Sequence, residues 1–143
     1  MIKLILLFSI FLSSTATLAK VNENPKLYSQ IKPYVFQVKT SQDANSSKAS
    51  YGTGFLVDKE GLLITNYHVI STVIQDKFDR YQIYVVDKEK IHKAEVINFS
   101  VIDDIALIKI DKTFDNSMVL KNISPKRGET IFSVGLPKDL NMS

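Results

Sequence analysis

"YGTGFLVDKEGLLITNYHVI", Tyr51 to Ile70, is the stretch whose reading decides the fold. Two apolar runs, "YGTGFLV" and "LLITN", flank "DKEG". A charged tetrapeptide ending in glycine between apolar runs is tight-turn chemistry, so the segment reads as a β-hairpin. Its second strand stops at Thr65-Asn66, and His68 follows at once. A histidine just past a strand end is either a core filler or a base. A base needs a carboxylate on its far ring nitrogen, to fix the tautomer and stabilise the imidazolium. Gly52-Thr53-Gly54 lacks the third glycine and the helix opening of a dinucleotide loop; its glycines read as sites of close packing within a strand.

Working outward, "YVFQVKT" (Tyr34 to Thr40) alternates as a strand, and "SQDANSSKAS" (Ser41 to Ser50) has no apolar anchor and reads as a mobile loop. Residues 20–27 read as a loose polar lead-in, and 68–75 as one short helical turn. "YQIYVV" and "HKAEVIN" form a second strand pair around "DKEK". "IALIKI" (Ile105 to Ile110) is a sixth strand, continuous enough to be buried on both sides. Six short strands at this spacing predict an all-β fold, a six-stranded antiparallel barrel over residues 28–112. Residues 113–128 read as a polar connector, and "ETIFSVGLP" within 129–143 as a seventh strand. Such a strand is expected to have no sheet to join, which predicts that a chain ending near Lys112 is the better behaved one.

The first residues follow a different logic. Lys3, an apolar run to Leu12 and a small-residue stretch ending Thr17-Leu18-Ala19 predict a cleavable signal peptide over residues 1–19. That implies a periplasmic or secreted bacterial protein. The chain has no cysteine, which suits a bacterial envelope better than a disulfide-stapled secreted domain. Net charge is +3, with lysines scattered among acids as in "VDKEKIHKAEV"; no basic stripe forms, and nucleic acid is not an expected partner. Two histidines on separate elements and no cysteine do not build a closed zinc site, so no metal or cofactor is expected. A candidate carboxylate for His68 is Asp104, which opens "IALIKI" at a position where it can be half-buried and held rigidly. A histidine after a strand and an aspartate before one both also have structural readings, and spacing alone does not decide between them.

The Tyr51–Ile70 stretch resembles the segment around the catalytic histidine of trypsin-like serine proteases, in particular the bacterial HtrA-type (Deg) envelope proteases. The matching positions are Gly52, Gly54, Phe55, Asp58, Gly61, Thr65, Asn66, His68 and Val69. "AEVINFSVIDDIALIKI" resembles the family's aspartate segment; alignment on Ala106 and Lys109 puts the catalytic aspartate on Asp104, with Asp103 its exposed neighbour and Ser100 replacing a frequent acid. "RGETIFSVGLPKDL" is similar to the strand opening the family's second barrel. The resemblance implies a serine-type endopeptidase acting on polypeptides, with His68 as base and Asp104 as its orienting partner.

The family's Gly-[Asn/Asp]-Ser-Gly-Gly stretch, source of the nucleophile and the oxyanion amides, does not occur in these residues. Ser133 lies between Phe132 and Val134 inside the expected strand, and Ser143 is the last residue. The sequence therefore reads as the histidine–aspartate half of a protease: a fragment lacking its nucleophile and inactive alone. Its expected partner is the missing C-terminal barrel, from the same gene or a separate chain, with homo-oligomers expected of the full-length protein. The alternatives are a catalytically inactive peptide-binding module and one half of a split protease.

Overall fold

Alternation of core-facing and outward-facing residues closes the strands into a ring. The fold described is that of a computed structural model, which covers residues 24–136. The expected signal peptide, residues 1–19, and the last residues of the chain lie outside the described residues. Six strands, β1 (Val35–Ser41), β2 (Ala49–Asp58), β3 (Leu62–Thr65), β4 (Gln82–Asp87), β5 (Lys90–Ser100) and β6 (Ile105–Ile110), follow a helix α1 (Asn24–Ile31) and a 3-10 turn (Lys32–Tyr34). A second helix, α2 (Tyr67–Gln75), is inserted between β3 and β4. The order around the closed barrel is β1-β2-β3-β6-β5-β4, all pairs antiparallel. The expected six-stranded barrel is thus the fold. The seam is the β1–β4 pair, with Val38 opposite Val85.

Inside, Val38, Leu56, Leu63, Ile83, Val85 and Ile108 form the core, joined by Ile70 from α2, which caps one end. Burial of each large aliphatic side chain stabilises the fold by roughly 1.5–3 kcal/mol. At the other end Phe114 meets Phe36 edge-on, with ring centroids 5.6 Å apart. The Lys112 ammonium lies 4.6 Å from the Phe114 ring centroid and pairs with Asp87. The Phe114 and Met118 amides donate to the Lys59 and Leu56 carbonyls at 2.8 and 2.9 Å. The first residues of the polar connector therefore lie on the barrel.

The glycines of the hairpin have distinct reasons. Gly61 sits in the β2–β3 turn at φ +84°, where a Cβ would meet the Ile110 and Lys112 carbonyls at 2.5 and 2.6 Å. Gly52 faces Val69 of α2, and Gly54 faces Val38, as expected of close-packing positions.

Four expectations change. The lead-in before β1 is helical from Asn24, with Pro25 next to its start, a position proline tolerates. The 42–48 loop is folded around a buried cation: Lys39, 7% exposed, donates to the Ala44 and Ser46 carbonyls at 2.8 Å each. "IALIKI" is not buried on both sides. Ala106, Ile108 and Ile110 face the core while Ile105 stays exposed, because a barrel strand has one inner face. Residues 129–136, expected as a seventh strand, form none among the described residues. A strand needs a ladder partner, and the closed barrel offers no free edge.

Candidate functional site

β3 and β6 are hydrogen-bonded neighbours, with Thr65 opposite Ala106. The residues just after β3 and those just before β6 are therefore brought together by barrel register alone. Past Thr65, Asn66 is extended and α2 begins at Tyr67, which puts His68 in the first helical turn. Ahead of Ile105, Asp104 takes the left-handed conformation at φ 53°. The Val69 and Ile70 side chains are buried, and the Thr40 hydroxyl donates to the Val69 carbonyl at 2.9 Å. These contacts fix the helix start from below.

The two sequence-predicted site residues meet. His68 Nδ1 and Asp104 Oδ2 are 2.7 Å apart, and the His68 amide donates to Asp104 Oδ1 at 2.9 Å. The Asp104 carbonyl accepts from the Tyr67 amide at 3.2 Å and from Asn66 Nδ2 at 3.0 Å, and Asn66 Nδ2 also donates to Asp104 Oδ2 at 3.2 Å. The His68 backbone N–H, then its ring, hold the Asp104 carboxyl below its ordinary range; partial desolvation opposes them, and the Asn66 amide adds a smaller push downward. Asp104 is thus a carboxylate at neutral pH, able only to accept. The proton in the 2.7 Å contact consequently belongs to Nδ1, and in the neutral ring Nε2 carries the lone pair. The His68 side chain is 70% exposed and Asp104 44%, so the half-burial expected of the carboxylate is present and the imidazole is open.

A groove of about 570 Å³ runs beside His68, lined by Gly52 and Thr53 of β2, Asn66, Val69 of α2, Ile31, Met118 and Phe132–Val134. The Leu136 amide ties the latter segment down by donating to the Thr53 hydroxyl at 2.9 Å. Ser133 lines this groove but, among the described residues, makes no hydrogen bond to His68. Asp103 bonds the Ser100 hydroxyl at 2.6 Å and keeps to its own turn. His92 is on β5, opposite Val85; among the described residues no group of three or more His, Asp or Glu side chains could hold a metal ion. The Asn66 amide on Asp104 was not foreseen as an interaction. An asparagine before a helix reads first as an N-cap.

The trypsin-like peptidase domain family matches residues 52–143. Over 69 residues, 48% of this chain and 12% of the relative, it is 35% identical to a "Probable periplasmic serine endoprotease DegP-like" of Rickettsia conorii. Over 105 residues, 68% of this chain and 32% of the relative, it is 29% identical to "Protease Do-like 5, chloroplastic" of Arabidopsis thaliana. The chain thus spans less than a third of the length of these relatives. A crystal structure of Deg5 superposes with a TM-score of 0.53 at 24% identity, covering 64% of this chain and 45% of that one; at that identity the likeness concerns the fold.

Proposed function

Because the chain belongs to the trypsin-like peptidase family, we propose that it is the histidine–aspartate barrel of a DegP-like serine endopeptidase, with His68 as general base and Asp104 as its orienting carboxylate. One observation carries this reading: the 2.7 Å contact between His68 Nδ1 and the ionised Asp104, which leaves Nε2 open beside a groove. In the reaction, Nε2 accepts the proton of a serine hydroxyl as that oxygen attacks a peptide carbonyl. Asp104 stabilises the imidazolium, which then protonates the leaving amine. The serine and the amides that stabilise the oxyanion come from polypeptide other than these 143 residues, which contain no Gly-[Asn/Asp]-Ser-Gly-Gly. That polypeptide is the protein's principal partner, and polypeptides are its substrate. The working compartment is the bacterial envelope, supported by the order of charge and hydropathy in residues 1–19 and by the periplasmic naming of the DegP-like relatives.

The test is peptide hydrolysis by the chain alone and by the chain joined to its serine-bearing partner. Alone it should be inactive. In the complete enzyme His68→Ala should lower kcat by a factor of roughly 10⁶ and Asp104→Asn by roughly 10⁴. Serine-inhibitable hydrolysis by the 143 residues alone, or a complete enzyme indifferent to His68→Ala, refutes the proposal. A second reading, a peptide-holding module, is favoured by the segment Phe132–Leu136 seated beside His68. It requires that no serine-bearing partner restore hydrolysis.

A further inference from the structure

Asn66 stands where an N-cap stands, in extended backbone at φ −82° and ψ 146°, yet its side chain makes no cap hydrogen bond to α2. It reaches instead across 38 residues of sequence to Asp104. A primary amide carries two N–H bonds, and both acceptors belong to that residue: the backbone carbonyl at 3.0 Å and Oδ2 at 3.2 Å. Oδ2 is also the oxygen that meets His68 Nδ1. Asp104 needs holding on two counts. Its backbone is left-handed at φ 53°, a region L-residues enter rarely, although aspartate does so more readily than most. Its carboxylate turns about a broad, two-fold side-chain torsion. The His68 amide fixes Oδ1 and the His68 ring meets Oδ2, but both anchors belong to His68. Among the described residues only Asn66 ties the carboxylate to a group outside that residue.

We propose that Asn66 is a positioning residue for the His68–Asp104 pair: its amide pins the Asp104 carbonyl and Oδ2 together, so that Oδ2 stays aimed at Nδ1 and the ring proton stays off Nε2. This rests on the base role assigned to His68 above. The side chain is specified by two donors at this reach. Serine is too short, and aspartate would set a second carboxylate against Asp104. Both nevertheless cap helices about as well as asparagine, which separates a positioning role from a capping one.

The experiment is the ring tautomer of His68, read at neutral pH from two-bond nitrogen–proton correlations in the full chain labelled at histidine. Amide exchange at Val69 and Ile70 serves as a monitor of α2. In the native chain the Nδ1–H form should dominate. Asn66→Ser and Asn66→Asp should each shift the population severalfold toward Nε2–H and speed the exchange of the Nδ1 proton, with Val69 and Ile70 protection unchanged. Asp104→Asn should switch the tautomer outright. If Asp104→Asn switches it and both Asn66 variants keep the native tautomer, the positioning role is overturned while the assignment of the pair stands. If Asp104→Asn also leaves the tautomer native, the pair assignment falls and the positioning role with it. Tautomer loss accompanied in both variants by faster exchange at Val69 and Ile70 overturns the proposal as well, because α2 itself has then moved.

Discussion

Replacing Gly52 by alanine should loosen the floor of the site through packing alone. A Cβ built at Gly52 lies 2.4 and 2.8 Å from the two γ-methyls of Val69 and 3.2 Å from its Cβ, whereas ordinary contact begins at 3.4 Å. Val69 must therefore retreat by about 1 Å. Turning χ1 gives little relief, since the whole isopropyl group is too near and a β-branched helical residue has one strongly preferred rotamer. Val69 is 2% exposed and its carbonyl is held by Thr40, so the retreat has to be made by α2. Overpacking of this kind costs about 1–3 kcal/mol. For a domain of this size that lowers Tm by roughly 4–8 °C per kcal/mol. The assay is thermal and urea unfolding of native chain, Gly52→Ala, Val69→Ala and the double variant. Val69→Ala alone should cost about 1.5–3 kcal/mol of lost burial. On that background only the 3.2 Å approach to the residue-69 Cβ remains, so Gly52→Ala should cost little further, giving a coupling of about 1–3 kcal/mol. Strictly additive single variants, or a Gly52→Ala chain as stable as the native one, would refute the argument. Gly54→Ala is the internal control: it meets one Val38 methyl at 2.8 Å and Leu63 Cδ2 at 3.4 Å, so its cost should be smaller.

Thr40→Val removes the buried donor to Val69 and should lower stability by about 0.5–1.5 kcal/mol in urea unfolding. Lys39→Met frees the Ala44 and Ser46 carbonyls, so limited proteolysis between residues 42 and 48 should accelerate severalfold while the barrel melts nearly as before. Asp104, depressed by the His68 amide and ring, and Asp76, depressed by the Arg80 side chain, both titrate lower in the folded state than in the unfolded chain. Their stabilisation is present above the unfolded value of about 3.9 and disappears as pH falls through the lower folded values. The urea midpoint should therefore drop on acidification below about pH 4, and Asp104→Asn should flatten part of that drop. A chain ending at Lys112 should melt below one ending at Asn122. It loses the Phe114–Phe36 contact and the Phe114 amide bond to Lys59, up to about 3 kcal/mol.

The strands were legible because a small barrel turns one face of each to the core, and alternations such as "QIYVV" write that face directly into the chain. The His68–Asp104 pair was legible through the family resemblance of two separate motifs and not through spacing alone; β3–β6 register is what converts the ends of two adjacent strands into one place. The features that escaped were set by tertiary context. Lys39 occupies an outward position that normally holds a solvated charge, and only the fold of the next loop covers it. "IFSV" has strand-forming residues, but propensity does not create an edge to pair with. Phe114 sits in a polar stretch, and nothing nearby in sequence announces that it closes a barrel end. Asn66 carries a local signal for capping, and a carboxylate 38 residues away outcompetes the helix amides for its side chain.

The distance in sequence between His68 and Asp104, 36 residues, also sets when the pair comes into being. No local structure joins the two: the β3–α2 segment can form its turn, and Asp104 its left-handed corner, without either meeting the other. They meet only when β6 docks on β3, and pairings this remote are among the slow steps of folding because loop-closure entropy is spent before any contact repays it. A nascent chain therefore carries the histidine and the carboxylate apart from one another. The pair exists only once the ring has closed, so the barrel acts as a timing device as well as a scaffold.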